Sequence, residues 1–204
     1  MAKMHFKYAT MNSGKSIDLI RTAFNYEENG FKVLIMKPKI DTKAGNKISS
    51  RIGIERCVDE LIDSDSSIYD LFSKYVDVNA IFVDESQFLT PNQVDEFFII
   101  SKVFDIPVIC YGLRLNFRGD SFPGSKRLLE VCEELEELPT LCNCGEIARY
   151  VGRKVQGEYE LDGEEIVIDG KKDVEYIPLC GDCFLTKVKK IDFNLIRKKV
   201  TKCV

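Results

Sequence analysis

With 204 residues, 45% of them apolar, the chain is long enough for one α/β domain plus a small appendage and too hydrophobic to be disordered. Its net charge of −4, with both signs interspersed, argues against a surface that grips nucleic acid. No apolar run reaches membrane-spanning length and residues 1–7 hold no signal-peptide core, so no membrane contact and a cytoplasmic location are expected.

Residues 4–9 read as a first strand. Residues 13–28 read as a helix, in which Ile17, Ile20, Ala23 and Phe24 recur at helical spacing and Asn29-Gly30 gives the stop. Between the two runs Ala9-Thr10-Met11-Asn12-Ser13-Gly14-Lys15-Ser16. A turn ending Gly-Lys-Ser between a strand and a helix is where a phosphate-cradling loop has a physical basis. Its amides converge on a phosphate, and the helix points its positive end at the same place. Lys15 would add charge on the β/γ-phosphates and the Ser16 hydroxyl would bind Mg²⁺. Such loops usually open on glycine, and here that place is Ala9.

Residues 31–36 form a continuous apolar strand and residues 38–50 a polar loop; residues 66–75 predict a short helix with Ile68, Leu71, Phe72 and Tyr75 on one face. Ala80-Ile81-Phe82-Val83-Asp84-Glu85 is an apolar strand that delivers two acids at its carboxyl end. In phosphate-loop enzymes Asp84 would hold Mg²⁺, while Glu85 could accept a proton from an attacking hydroxyl. Taken alone, a strand ending in solvated acids is ordinary; the phosphate loop gives the pair its meaning. Residues 91–104 predict a helix with proline in its first turn and Val94, Phe97, Phe98 and Val103 facing inward. Residues 106–112 form a further strand, and residues 113–119 leave it as a loop at the end where open α/β sheets bind ligands. The glutamate-rich stretch 132–142 is expected to be an edge strand with a solvated face. Together these elements imply a mostly parallel, right-handed wound sheet with helices on both faces.

From residue 141 short β-like pieces and glycines replace the helical pattern, which sets boundaries at 1–140, 141–190 and a basic tail, 191–204. Of eight cysteines, Cys57, Cys110, Cys132 and Cys203 stand singly, whereas Cys142, Cys144, Cys180 and Cys183 form two close pairs. Two dithiol hooks fit a tetrahedral Cys₄ zinc site, and a site closed by four protein ligands is structural. A redox dithiol or unrelated buried cysteines are the alternatives. The segment between the hooks, with Tyr159, Ile166, Val167, Ile168 and Tyr176, reads as a loop that covers a small ligand or as a hairpin with a flexible tip.

The whole set resembles the zinc-containing thymidine kinases of the cytosolic animal, bacterial and poxviral type. The resemblance runs from residue 4 to about residue 187. It rests on Met11-Asn12-Ser13-Gly14-Lys15-Ser16, Ser49-Ser50-Arg51-Ile52-Gly53, Val83-Asp84-Glu85-Ser86-Gln87-Phe88-Leu89, the strand ending Tyr111-Gly112-Leu113-Arg114, Asn116-Phe117-Arg118-Gly119 and the cysteine hooks. It implies a RecA-like phosphate-loop domain, a zinc-ribbon-like unit with a long substrate-covering loop, and transfer of the γ-phosphoryl of ATP to the 5′-hydroxyl of thymidine, with deoxyuridine as a secondary substrate. On that resemblance Ala9, Thr10, Met11, Asn12, Ser13, Gly14, Lys15 and Ser16, with Asp84, Glu85, Ser86 and Gln87, hold the triphosphate. Glu85 is the proton acceptor. Met11, Phe88, Leu113, Phe117, Val167, Ile168 and Tyr176 surround the nucleoside. A homotetramer and feedback by thymidine triphosphate are implied in the same way. Where relatives carry Asp-x-Arg this chain has Asp41-Thr42-Lys43, and lysine lacks the two-pronged phosphate grip of arginine. Arg51 is the candidate to replace it. A kinase for another deoxynucleoside, a nucleic-acid-dependent ATPase with a zinc ribbon and a non-catalytic zinc-ribbon adaptor, which would have no use for Lys15 and Glu85 together, are the competing readings.

Overall fold

The computed structural model describes residues 1–40, 45–163 and 174–201. In chain order it contains β1 (Met4–Ala9), α1 (Lys15–Glu28), β2 (Val33–Pro38), a hairpin of β3 (Lys47–Ser49) and β4 (Glu55–Cys57), β5 (Glu60–Ile62), α2 (Ile68–Phe72) and β6 (Ala80–Val83). A single tight turn, Ser86–Phe88, precedes α3 (Pro91–Val103), β7 (Val108–Leu113), α4 (Pro123–Val131) and β8 (Glu134–Glu137). Then follow β9 (Tyr150–Val155), β10 (Glu158–Glu160), β11 (Val174–Leu179), the one-turn α5 (Gly181–Cys183) with a wide turn at Phe184–Val188, and α6 (Phe193–Thr201).

Alternation along the central strands decides the layering. Ala80, Phe82, Ile109, Tyr111 and Ile35 face one side of the sheet and pack on Leu19 and Ala23 of α1. Their neighbours Ile81, Val83, Val108, Cys110, Leu34 and Met36 face the other side and pack on Ile68, Val94, Phe97, Ile100 and Leu128. That period of two, with apolar residues at both parities, is what a sheet buried on both faces requires. Each fully buried Phe6, Phe82 and Phe97 contributes about 1.5–3 kcal/mol of transfer free energy. The strands are all parallel in the order β5-β2-β6-β7-β1-β8. The carboxyl ends of β1, β6 and β7 therefore lie along one edge, with Ala9 level with Leu113 and Val83 level with Cys110.

Two helix faces differ from expectation. Phe24 is 54% exposed and Val103 68% exposed, so Leu19 and Ala23 carry the inward stripe of α1 and Val94, Phe97 and Ile100 that of α3. Val103 ends α3, and Phe24 lies on the flank of α1, whose contact with the sheet runs on to Tyr26 against Phe82 at 5.6 Å. The stretch 38–50 includes β3, and β8 is the expected edge strand, parallel to β1. A third apolar cluster, separate from the sheet's two, gathers Cys142, Ala148, Leu179, Cys180, Cys183, Phe184 and Val188 beside the antiparallel sheet β10-β9-β11.

Candidate active site and cysteine cluster

Ala9 is the last residue of β1, extended and paired with Leu113, so the place usually held by glycine asks nothing of alanine here. The turn happens further on. Asn12 (φ 65°) and Gly14 (φ 82°) adopt left-handed backbone, which glycine and asparagine tolerate best. No atom lies within 4 Å of a Cβ built on Gly14, so glycine is there for its conformation and not for space. Lys15 is buried, and its ammonium donates to the Thr10 carbonyl at 3.1 Å; the Ser13 hydroxyl donates to the same carbonyl at 3.1 Å. The α1 amides thus open onto a loop folded around its own lysine.

One turn into α1, Asp18 accepts hydrogen bonds from Lys7 of β1 at 3.0 Å, from the Tyr111 hydroxyl of β7 at 3.0 Å, and from Arg21. Burial pushes the Asp18 carboxyl up, but these donors outweigh it and hold it below the ordinary 3.8. Burial pushes the Tyr111 hydroxyl well above its usual value, so it stays a donor. The network fixes α1 against two strands.

The alternation that sends Ala80 and Phe82 toward α1 sends Asp84 the same way, and Asp84 is 3% exposed. A buried carboxylate and the Ser16 hydroxyl, both hard oxygen donors at this edge, suit Mg²⁺. Glu85 is part-exposed and left-handed (φ 48°, ψ 36°), a conformation costing about 1 kcal/mol outside glycine. Its surroundings hold it there. The Gln87 amide donates to Glu85 Oε2 at 2.6 Å and accepts from the Leu113 amide at 3.0 Å, while the Ser86 hydroxyl donates to the Tyr111 carbonyl at 2.9 Å. The Ser125 hydroxyl donates to the Leu113 carbonyl at 2.5 Å. A Cβ on Gly112 would lie 2.8 Å from Ser86 Oγ, and one on Gly124 2.6–2.8 Å from the carbonyls of Leu89, Ser86 and Gln87. Sequence reasoning passed over Gly124 and Ser125; the available signal was Pro123, which starts a helix directly after the β7 loop.

Met11, Phe88, Leu113 and Tyr176 are all part-exposed, and Phe88 meets Phe122 edge-on at 5.7 Å. Phe117 is 2% exposed, beneath the Arg153 guanidinium at 4.0 Å and beside that of Arg118 at 4.9 Å. Arg153, an inward-facing charge on β9, was also missed, although it shares a face of the strand with Val151 and Val155, which marks it. Arg118 donates to the carbonyls of Leu161 (3.0 Å) and Gly163, joining the β7 loop to the segment after β10. Arg51 lies exposed in the turn between β3 and β4. Lys43, Val167 and Ile168 fall outside the described residues. A cavity of about 460 Å³ between Phe72, Tyr75, Val78, Phe104 and Ile106 lies at the opposite, amino-terminal edge of the sheet and takes no part in this site.

The sulfur atoms of Cys142, Cys144, Cys180 and Cys183 all lie within 4.8 Å of one another, with Cys144 and Cys180 3.6 Å apart. Four sulfurs at about 2.3 Å from a central zinc would be about 3.8 Å apart, so this cluster can hold a metal such as zinc. Burial pushes the Cys142 thiol up, but the amides of Cys144 and Cys180 and the neighbouring thiols hold it down at about 6. Burial and the other cysteines push Cys183 up to about 12. Phe184, directly after the last cysteine, stacks on Tyr150 at 4.7 Å, and its ring would lie 3.3 Å from a Cβ on Gly119. The cysteine unit therefore presses on the loop that carries Phe117.

A thymidine kinase family model matches residues 2–184. The chain belongs to the thymidine kinase family. It is 37% identical over 196 residues to the thymidine kinase of Mannheimia succiniciproducens, covering 94% of this chain and 99% of that one. It is 42% identical over 177 residues to that of Rhodopirellula baltica (84% and 83% covered) and 38% identical over 183 residues to that of Lactococcus lactis (88% and 95% covered). The match ends at residue 184, so α6 lies outside it. Among the described residues no helix is long and apolar enough to cross a membrane.

Proposed function

We propose that this chain transfers the γ-phosphoryl of ATP to the 5′-hydroxyl of thymidine, and more slowly to deoxyuridine, by in-line displacement. The observation that carries the reading is the common edge where Lys15 follows β1 and Asp84 and Glu85 follow β6, one strand apart. Family membership supports the substrates.

Ala9, Thr10, Met11, Asn12, Ser13, Gly14, Lys15 and Ser16 wrap the triphosphate, and residues 84–87 face it across β7. Ser16 and Asp84 would hold the nucleotide's Mg²⁺, whose charge offsets that of the β- and γ-phosphates. Lys15 turns its ammonium from the Thr10 carbonyl to the phosphoryl oxygens. Glu85 orients the sugar hydroxyl and takes its proton as the new bond forms, a contribution of about 10²–10⁴ in rate. Met11, Phe88, Leu113 and Tyr176 form an apolar wall for the base with Phe117 as its backing, and Val167 and Ile168 read the polar edge of the base. One methyl group in such a wall is worth about 1–3 kcal/mol, which makes the preference over deoxyuridine modest.

The cysteine cluster is a structural zinc site, and the boundaries lie at 1–140, 141–190 and 191–204. The protein works in the cytoplasm as a homotetramer, for which exposed Phe24, Phe31 and Ile99 supply apolar surface, and thymidine triphosphate returns to the same site as inhibitor. The acidic balance of −4 favours this over a nucleic-acid-dependent ATPase. The test is phosphate transfer from ATP with Mg²⁺ to a panel of nucleosides. Thymidine as the best acceptor supports the reading; a better acceptor elsewhere, or hydrolysis stimulated by DNA or RNA alone, overturns it.

A further inference from the structure

The family resemblance groups Gln87 with the residues that hold the triphosphate, but its side-chain hydrogen bonds run to Glu85 and to the Leu113 backbone, which points to a different part for it. Gln87 is 1% exposed and spans the gap between β6 and β7 with one amide. The Leu113 backbone N–H can only donate, so the Gln87 oxygen must face it; the amide nitrogen is thereby turned toward Glu85, whose Oε2 can only accept from it. Orientation is dictated by the partners at both ends. The space for it exists because residue 112 is glycine: a Cβ there would stand 2.9 Å from Gln87 Oε1 and 3.1 Å from its backbone nitrogen.

We propose that Gln87 is the positioning residue for Glu85, a strut that fixes one carboxylate oxygen to the backbone of the β7 exit and presents the other to the acceptor hydroxyl. The proposal rests on the reading of Glu85 as proton acceptor. Three features of the structure bear on it. Glu85 is part-exposed on a flexible side chain, so an unbraced carboxylate would spread over several rotamers. Its brace is anchored at Leu113, which is also part of the wall set for the base, so a single amide registers the proton acceptor against the acceptor nucleoside. The anchor is itself fixed, since Ser125 donates to the Leu113 carbonyl and Ser86 to the Tyr111 carbonyl. Misplacing a reacting group by about 1 Å costs on the order of 10²-fold. A residue of this kind acts on turnover and not on nucleotide affinity, which separates it from a phosphate ligand.

The test is a double-mutant cycle on the full-length enzyme with ATP, Mg²⁺ and thymidine. Gln87→Met keeps the length of the side chain and removes both hydrogen bonds. It is expected to lower kcat by about 10–100-fold and leave KM for ATP within about twofold. Placed on Glu85→Gln, where no carboxylate remains to be held, the same change should lower kcat by less than about twofold further. Equal losses in both backgrounds would mean a purely structural part for Gln87, and a raised KM for ATP with kcat preserved would mean a phosphate contact; either overturns the proposal. Gln87→Asn, one methylene shorter and able to reach only one partner, gives the same pattern should the methionine variant not fold. Turnover retained in Glu85→Gln alone removes the base role itself, a failure distinct from the other two, and the strut falls with it.

Discussion

At the carboxyl edge of the sheet, Glu85 and Lys15 are held by backbone geometry and hydrogen bonds that start from a double-sided core of strands and helices. Around the cysteines, a small apolar cluster and four thiols do the same work, and Phe184 passes the result to the loop of Phe117. The two regions differ in what they depend on. The first rests on side chains that alternate across a sheet buried on both faces; the second has a smaller core, gathered around four thiols that can hold a metal such as zinc. On the proposed reading, catalysis is built on the double-sided sheet and adjusted by a smaller unit that a metal held by the four cysteines would cross-link.

Removing a metal from the cysteine cluster should separate the two regions most strongly. A structural Cys₄ zinc site contributes about 10 kcal/mol or more of apparent free energy, so chelation should unfold the segment around residues 141–188 and leave the parallel sheet intact. Limited proteolysis with zinc quantification reads this: cleavage confined to that segment, together with weaker thymidine binding, is expected. Uniform cleavage along the chain, or unchanged affinity, would show that the two regions are not divided in this way.

A smaller effect probes the double-sided sheet. Gly124→Ala drives a methyl against three carbonyls at 2.6–2.8 Å and should destabilise by about 1–3 kcal/mol in denaturant melts, while lowering kcat because the same carbonyls belong to the acidic turn. Stability loss with full turnover would mean that the turn does not need that contact. Asp18→Asn should cost about 1–3 kcal/mol, since it removes the carboxylate shared by Lys7, Tyr111 and Arg21 and leaves Lys7 only its pair with Glu136 at 3.1 Å. Asp18 has its folded-state value depressed, so its contribution is complete above the ordinary 3.8 and is lost as pH falls below it. The wild-type stability curve should accordingly drop below about pH 4, and Asp18→Asn should flatten that limb. Arg21→Ala, which removes one exposed partner of the same carboxylate, should shift stability by less than about 0.5 kcal/mol.

Much of this was legible before any coordinates. β1 and α1 follow from an apolar strand, a Gly-Lys-Ser turn and a helical stripe, and Asp84 and Glu85 announce themselves at the end of β6. What escaped has a common physical cause: it is made by partners distant in the chain. β5 is three residues whose strand conformation comes from pairing with β2, and α4 is a short helix recognisable mainly from Pro123. The inward placement of Phe24 and Val103 failed because periodicity gives a helix's apolar stripe but neither how wide a sector of it the sheet covers, which leaves out Phe24, nor where that contact ends, which leaves out Val103. The left-handed backbone of Glu85 belongs to a turn that local pattern does not announce, and the strut of Gln87 depends on Gly112, a residue whose importance is the side chain it lacks.

The account stands most directly on turnover by Glu85→Gln measured beside its thymidine dissociation constant. A loss of kcat of about 10²–10⁴ with binding changed by less than about threefold is the predicted result. Near-normal turnover would contradict it, because the acid after β6 and the lysine after β1 would then not be working on the same pair of substrates.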